Sequence, residues 1–279
     1  MKQTSIPLVS IIIVNYNGAD VIIECLESLC TNLKQISYEI IVVDNASQDG
    51  SPESIIRQFS KVILLQQPKN LGFGAANNIG VNHARGEFIF FLNSDTVLIN
   101  DILPTLIAKI NQSPQVGIIG PKLLNSDGSF QFSVSKEISI LGEFQTLQQV
   151  KQYRNPATRS TLAQIYGYEQ NVDIVVGAAM LMRRSLFKEV GGFDESFFMY
   201  FEESDLCKRV RDLGYTILYT PEANLIHLGG YSVAKVAGVM ATEYRRSQCY
   251  YYQKHRPFWE QWLLNFYLAI KQWYWFRST

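Results

Sequence analysis

The N-terminal part of the chain contains three apolar runs that end abruptly on polar residues. "VSIIIVN" leads to Asn15 and Tyr16, "EIIVVD" ends at Asp44, and "FIFFLN" leads through Asn93 to Asp95. Runs of this length, rich in β-branched and aromatic residues, are typical of strands buried on both faces of a parallel sheet. The pattern predicts three such strands, each with polar residues at its carboxyl end.

The segments between these runs predict helices. "ADVIIECLESLCTNL" repeats apolar residues at helical spacing, "SPESIIRQF" and "GFGAANNIGVNHA" predict further helices, and "KVILLQQ" predicts a short strand. Alternating strands and helices predict a doubly wound α/β domain. Ligands of such sheets bind beyond the carboxyl ends of the strands. We therefore expect Tyr16, Asp44 and Asp95 to converge on one crevice.

Asp95 is a candidate ligand of a divalent cation. Because side chains alternate along a strand, Asn93 and Asp95 are expected to point the same way. A carboxylate and an amide suit Mg²⁺ or Mn²⁺ on a diphosphate, since phosphate and water supply the remaining ligands. In the alternative interpretation, Asp95 and Thr96 merely cap the helix predicted over "NDILPTLIAKINQ".

The glycine-rich stretch "NLGFGAANNIG" admits three interpretations. It resembles a degenerate dinucleotide fingerprint in which Asn77 replaces the third glycine, but it does not follow the first strand directly. The backbone N–H groups of the helix that follows could face a phosphate. The stretch could also be a tight turn before an ordinary helix.

A further helix is predicted within "GGFDESFFMYFEESDLCKRVRDLGY". Leu206, Val210 and Leu213 recur at helical spacing and predict its buried face, and Gly214 closes it. Its first turn is acidic, with Glu202, Glu203 and Asp205. These carboxylates either favour the helix N-terminus or raise one another's pKa, which suits a general base near neutral pH. His227 ends another apolar run, and most lone histidines are neither ligands nor catalysts.

Composition narrows the class of protein. The formal net charge is zero over 279 residues, so no global field attracts nucleic acid. Four cysteines without CxxC spacing fit a reduced, cytoplasmic protein rather than a disulfide framework. The N-terminal apolar run reads as a strand rather than a signal peptide, and no apolar stretch is long enough to predict a spanning helix.

Two segments leave alternatives open. Residues 125–171 are polar and irregular, which is typical of a mobile lid near an acceptor or of a plain surface insertion. Residues 257–279 contain all four tryptophans. They predict an amphipathic aromatic helix that contacts either an anionic membrane surface or protein, including a second subunit. The residues that form its apolar stripe are Trp259, Trp262, Leu263, Phe266, Ile270 and Trp273.

Six motifs in one order resemble family 2 glycosyltransferases, and among them the bacterial rhamnosyltransferase-like and galactofuranosyltransferase-like enzymes. The resemblance covers about residues 8–235. Its motifs are "VSIIIVNYNG", "IVVDNASQDGS", "NLGFGAANNIG", "FLNSDT", "VVGAAMLMRRSLFKEVGGFDESFFMYFEESDLCKR" and "HLGG". The resemblance implies a GT-A fold, which is Rossmann-like with a mainly parallel central sheet. It also implies inverting transfer from a nucleotide sugar, with Mn²⁺ or Mg²⁺ on the diphosphate.

The resemblance also implies roles for individual residues. Asp44 reads the base or ribose, and Tyr16 lies against the base. "NSD" is similar to the family's DxD signature, with Asn93 first and Asp95 last. The predicted nucleotide-binding residues are Asn15, Tyr16, Asp44, Asn77 and Asn93.

By the same resemblance, Asp95 and His227 are the metal ligands, and imidazole favours Mn²⁺ somewhat. Glu203 stands at the position of the family's base, where Asp is usual. Asp205 is the alternative base, or it orients the acceptor.

The sequence as a whole then predicts an inverting, metal-dependent hexosyltransferase of bacterial surface polysaccharide synthesis. The expected donor is dTDP-L-rhamnose or another dTDP- or UDP-sugar, and the acceptor is a glycan or lipid-linked hydroxyl. Residues 1–235 form the predicted catalytic domain and 236–279 a C-terminal helical extension. The expected location is the cytoplasm, at the inner face of the plasma membrane if the extension binds lipid. Two alternatives remain, a catalytically silent sugar-nucleotide-binding protein and an NAD(P)-dependent oxidoreductase.

Overall fold

The computed structural model describes residues 6–229 and 237–278, except for the side chains of 237–240 and 271–278. The strands are β1 Val9–Asn15, β2 Tyr38–Asp44, β3 Ile63–Gln66, β4 Phe88–Asn93, β5 Thr96–Leu98, β6 Val116–Leu124, β7 Phe130–Gln131, β8 Val134–Ser135, β9 Gln170–Val172, β10 Ile174–Val175, β11 Ala179–Arg183 and β12 Thr216–His227. The helices are α1 Ile22–Asn32, α2 Ser51–Gln58, α3 Phe73–His83, α4 Leu103–Gln112, α5 Ile140–Arg154, α6 Pro156–Ile165, α7 Arg184–Glu189, α8 Glu202–Asp212, α9 Ala237–His255 and α10 Phe258–Ser278.

The predicted parallel core of the sheet is confirmed. Strands β3, β2, β1 and β4 lie side by side in that order and run parallel. In the register, Asn15 lies opposite Asp44, and Val14 lies opposite Asn93. The three polar strand ends therefore meet at one edge of the sheet, as the hydrophobic runs predicted.

The other half of the sheet brings the chain back to this edge. β11 lies antiparallel between β4 and β6, and β12 runs parallel to β6. β5 pairs antiparallel with the end of β12, so that Thr96 lies opposite His227. This pairing sets His227 beside the turn that follows β4.

Helices cover both faces of the sheet. Alternating residues of β1 point to opposite sides, with Ile11 and Ile13 in one buried cluster and Ile12 in the other. The first cluster packs against α1, α2 and α4, and the second packs against α3, α7 and α8. The predicted doubly wound α/β architecture is confirmed.

Three local predictions are corrected by the structure. Residues 125–171 include α5 and α6, so they are not irregular throughout. Leu213 is 48% exposed, whereas Leu206 and Val210 are buried as predicted. The capping role of Asp95 is wrong, because the helix it was to cap begins only at Leu103.

The C-terminal helices pack onto the rest of the protein. Phe197 and Phe201, which precede α8, form a buried cluster with Tyr251, Tyr252 and Leu264. The predicted boundary between 235 and 236 lies within residues 230–236, outside the described residues. In the described parts of the chain, no helix is both long and apolar enough to cross a bilayer.

Candidate active site

Asn93, Asp95 and His227 come together at the carboxyl edge of the sheet. The Nε2 atom of His227 lies 3.3 Å from Oδ1 of Asp95 and 3.4 Å from Nδ2 of Asn93. The side chains of Asp95 and His227 are 13% and 14% exposed, so the pair is shielded but open to a ligand. These contacts join the end of β4 to the end of β12.

Gln131 on β7 orients the imidazole, and sequence reasoning missed it. Its Nε2 donates to the carbonyl of His227 and to Oδ1 of Asn125, which fixes the direction of the amide. Its Oε1 therefore faces Nδ1 of His227 at 2.7 Å and accepts from it. In the neutral ring, Nε2 then carries the lone pair and points at Asp95.

This donor set fits a divalent cation. A carboxylate oxygen and an imidazole lone pair that face each other at 3.3 Å need a cation or a proton between them. Among the described residues, no group of three or more His, Cys, Asp and Glu side chains is arranged to hold a metal. The protein would thus contribute two strong ligands, which suits an ion completed by diphosphate and water.

Asp44 is buried and held from two sides. Its Oδ1 accepts from Nδ2 of Asn15 at 2.9 Å, and its Oδ2 accepts from the backbone N–H of Ser47 at 3.0 Å. Asn15 is fully buried and also donates to the hydroxyl of Ser51. Asn15 and Ser47 therefore fix the orientation of the Asp44 carboxylate, which keeps further lone pairs beyond these two bonds.

Tyr16 lies beside this pair with 43% of its surface exposed. Asn17 follows in the left-handed region, with a φ of 51°. Its backbone N–H donates to the hydroxyl of Ser47, and its side chain accepts from the backbone of Gln48. The loop after β1 is thus hydrogen-bonded to the loop after β2, and the ring of Tyr16 stays open to solvent.

The glycine-rich stretch has a packing role. Gly72 has a φ of 86°, and a Cβ there would lie 2.2 Å from the carbonyl oxygen of Phe198. The same carbonyl accepts from the backbone N–H of Phe73. The carbonyl of Phe198 therefore lies against Gly72 and occupies the first N–H of the helix, which favours the interpretation as a tight turn before an ordinary helix.

Asn77 is a buried residue of α3. It is 1% exposed inside α3, and its Nδ2 donates to the carbonyl of Phe73 one turn earlier. Asn45, which the sequence reasoning missed, ties the loop to β2 through bonds with Asn70 and the backbone of Leu71 and Gly72. The signal that could have found Asn45 is its position directly after Asp44 at the strand end.

The first turn of α8 holds two carboxyl groups with raised pKa values. Burial, reinforced by the charge of Glu203, raises the pKa of Glu202 well above its usual range. Burial also raises the pKa of Glu203, although backbone amides, including that of Gly177, oppose the shift. Glu202 is 5% exposed, while Glu203 keeps more contact with solvent. Both pKa values are raised as predicted, but burial is the main cause, and repulsion by a neighbouring carboxylate contributes only for Glu202.

Residues 177 and 178 lie between Glu203 and the end of β4, which leads to Asp95. Gly177 lies against Glu203, because a Cβ on Gly177 would be 3.5 Å from Cβ of Glu203. The neighbouring carbonyl of Ala178 accepts from the backbone N–H of Asn93 at 2.9 Å. The proton-accepting and cation-binding candidates thus flank the beginning of β11.

Asp205 behaves differently from its neighbours, and the predicted rise of its pKa is wrong. It is fully buried, which by itself raises the pKa, but His255, Arg209 and Lys254 outweigh burial and lower it. Its Oδ1 lies 2.6 Å from Nε2 of His255 and 2.7 Å from Nζ of Lys254. Its Oδ2 accepts from Nε of Arg209 at 2.7 Å. Asp205 therefore ties α8 to α9 and is closed to substrate.

The backbone that leads into α8 is strained. Tyr200 and Phe201 both have a φ of 69°, a left-handed conformation that costs non-glycine residues about 1–3 kcal/mol each. Aromatic contacts hold them, since both rings lie against Tyr244, with centroids 5.5 and 5.1 Å away. Strain of this kind immediately before Glu202 and Glu203 is typical of a functional turn.

A sequence profile described as "Glycosyl transferase family 2" matches residues 10–191. The chain is 28% identical over 257 residues to the N-acetylglucosaminyl-diphospho-decaprenol L-rhamnosyltransferase of Mycobacterium tuberculosis, covering 86% of this chain and 84% of the relative. It is 31% identical over 230 residues to Rhamnosyltransferase WbbL of Escherichia coli, covering 79% of this chain and 83% of the relative.

Among solved structures, the chain is similar to Mannosyltransferase PcManGT from Pyrobaculum calidifontis in complex with GDP-Man and Mn²⁺. The TM-score is 0.57 at 17% identity, covering 99% of this chain and 83% of the other. At that identity the likeness concerns the fold alone. The structural neighbours have the GT-A fold, so the predicted fold is confirmed.

Proposed function

The chain belongs to glycosyl transferase family 2, and we propose that it moves a sugar from a nucleotide diphosphate to an acceptor hydroxyl with inversion. The observation that carries the proposal is the contact of Asp95 with His227 at the strand ends, with Glu203 across the start of β11. The side of this crevice that carries Asp95 and His227 suits a diphosphate, and the side that carries Glu203 suits an acceptor. The oxidoreductase alternative is wrong, because the family is one of transferases.

The nucleotide is bound at the ends of β1 and β2. Tyr16 offers an open ring on which a base stacks. Asp44 accepts a hydrogen bond from the base or ribose through a lone pair that Asn15 and Ser47 leave free. Asn15 is a positioning residue, because its side chain is fully buried. The buried amide of Asn77 supports α3 behind the site.

Asp95 and His227 would hold a divalent cation, because Gln131 directs the lone pair of the His227 Nε2 toward Asp95. Asn93, whose amide nitrogen lies 3.4 Å from Nε2 of His227, would donate to the diphosphate once the cation occupies that nitrogen. When bound, the ion neutralises the charge that develops on the leaving diphosphate, an electrostatic contribution of several kcal/mol. The imidazole favours Mn²⁺ over Mg²⁺.

Glu203 is the general base that accepts the proton of the acceptor hydroxyl. Its raised pKa brings it closer to the pH at which a base is most effective. Asp205 is fully paired and holds α8 in place rather than taking the proton. Glu203 has one methylene more than the usual aspartate, so its carboxylate reaches further into the crevice.

The donor is dTDP-L-rhamnose and the acceptor is lipid-linked, in the synthesis of a bacterial surface polysaccharide. The support is the activity of two relatives, an N-acetylglucosaminyl-diphospho-decaprenol L-rhamnosyltransferase and a rhamnosyltransferase. A lipid-linked acceptor places the enzyme at the inner face of the plasma membrane.

A donor screen and one variant series test the proposal. Thermal shift with dTDP- and UDP-sugars, with and without Mn²⁺, identifies the nucleotide, because a ligand of the native state raises its melting temperature. Glu203→Gln should keep the shift and lose about 10²–10⁴-fold in turnover. Glu203→Asp should recover part of the rate. Glu189→Gln, an exposed carboxylate on α7, is the matched control.

Two results contradict specific parts of the proposal. Near-normal turnover of Glu203→Gln removes Glu203 from the role of base. A Mn²⁺-dependent shift with no transfer to any acceptor supports the silent sugar-nucleotide-binding protein instead.

A further inference from the structure

The outer face of α10 carries a row of exposed aromatic side chains. Trp259, Trp262 and Phe266 are 58%, 55% and 52% exposed, and Trp262 stacks on Phe266 with ring centroids 5.4 Å apart. Leu264 on the inner face is 4% exposed and packs in the cluster with Phe197. α10 is thus held on the protein while its aromatic face stays open. The side chain of Trp273, which belongs to the predicted stripe, lies outside the described residues.

The beginning of α5 carries a second exposed row. Leu141, Phe144 and Leu147, spaced by three residues, are 65%, 58% and 66% exposed. The two helices meet where the backbone N–H of Ile140 donates to a carboxylate oxygen of Glu260 at 3.0 Å. We call the two exposed rows together the α5–α10 surface. Its defining residues are Leu141, Phe144, Leu147, Trp259, Trp262 and Phe266.

The acidic side chains of these helices point inward. Glu143 accepts from Gln248 and from the hydroxyl of Tyr252, and Glu260 is paired with Arg256. Among the described side chains of α5 and α10, the remaining charged ones are Lys151 and Arg154, and both are exposed. The two exposed rows therefore have no unpaired acidic side chain among the described residues of these helices, and Lys151 and Arg154 add positive charge at the end of α5.

We propose that the α5–α10 surface binds the headgroup layer of an anionic membrane. Exposed patches of large apolar side chains mark interaction sites, and tryptophan and tyrosine prefer the bilayer interface. Inward-turned carboxylates remove repulsion from anionic lipid, and Lys151 and Arg154 add attraction. This membrane contact rests on the proposed function, because a lipid-linked acceptor lies at a membrane. Three of the six residues that define the surface belong to α5.

Vesicle flotation of the full chain tests the inference without using activity. The chain should float with vesicles of phosphatidylcholine and phosphatidylglycerol, and more weakly with phosphatidylcholine alone. Leu141→Gln/Phe144→Gln and Trp262→Gln/Phe266→Gln should each lower the partition coefficient by at least about ten-fold, because burial of one large apolar side chain contributes on that order. Ile56→Gln on α2, where Ile56 is 61% exposed, is the matched control.

Other outcomes overturn the inference. Full binding by the α5 double variant, or an equal loss with Ile56→Gln, refutes the α5–α10 surface. A chain that stays with the soluble fraction and forms a dimer that the α10 variant dissociates shows a contact between copies instead. Melting curves confirm that the variants fold. Donor-induced thermal shift and transfer to a water-soluble acceptor, measured on the same variants, separate failure of the surface from failure of the proposed function.

Discussion

Replacing Asp205 by Asn should destabilise the protein strongly, although the change in size is minimal. Asp205 is fully buried, forms ion pairs with Arg209 and Lys254, and is hydrogen-bonded to His255. Removing one partner of a buried ion pair costs about 3–5 kcal/mol. Arg209 and Lys254 keep 18% and 27% exposure, and Lys254 retains Asp194 as a partner, so we expect the low end, about 3 kcal/mol.

Urea unfolding at neutral pH measures this free energy, and a melting curve should show a drop of roughly 6–10 °C. The matched control lies on the same helix. Asp212 pairs with Lys208 across one turn but is 56% exposed, so Asp212→Asn should cost about 0–0.5 kcal/mol.

The pH dependence provides a second check on Asp205. Because its folded pKa is lowered, the native state binds fewer protons than the unfolded state between the two pKa values. The stabilisation is therefore present above the unfolded pKa, at about pH 4, and is lost as pH falls through the folded pKa. The difference between wild type and Asp205→Asn should shrink in acid. A cost below about 1 kcal/mol at neutral pH, or a difference independent of pH, refutes the reasoning.

Three further predictions follow from other parts of the site. Gly72→Ala should cost roughly 3 kcal/mol in urea unfolding, because it adds a clash with the carbonyl of Phe198 to the strain of a positive φ. Gly128→Ala, with a φ of 78° and no atom within 4 Å of the new Cβ, should cost only about 1 kcal/mol; equal costs contradict the clash. Gln131→Ala should weaken Mn²⁺ binding about 10–100-fold by calorimetry, and unchanged affinity removes Gln131 from the site. For Glu202, whose folded pKa is raised, the native state binds more protons, so wild-type stability should fall as pH rises above the usual value of 4.5. Glu202→Gln should flatten this slope above pH 4.5, and an unchanged slope contradicts the assignment.

The strand ends could be predicted because their signal is local. The runs that became β1, β2 and β4 are apolar on both faces, and the parallel connection rule then places Asp44 and Asn93 at the same edge as Asn15. The acidic first turn of α8 could also be predicted, because Glu202, Glu203 and Asp205 are close together in the sequence. The apolar pattern of α5 was not, because Leu141, Phe144 and Leu147 face solvent and leave no buried stripe.

The sequence by itself determined the fold class, the polar strand ends and the presence of Glu203, since each depends on neighbours within a few residues. Only the tertiary structure decided which of these groups act together. Gln131 reaches His227 across 96 residues, and His255 reaches Asp205 across 50. The first contact depends on the order of strands in the sheet, and the second depends on how α9 packs against α8. Neither arrangement can be predicted from a local sequence pattern. The three carboxylates of α8 therefore differ in pKa. Burial raises the pKa of Glu202 and Glu203, whereas side chains distant in sequence, which pair with Asp205, lower its pKa.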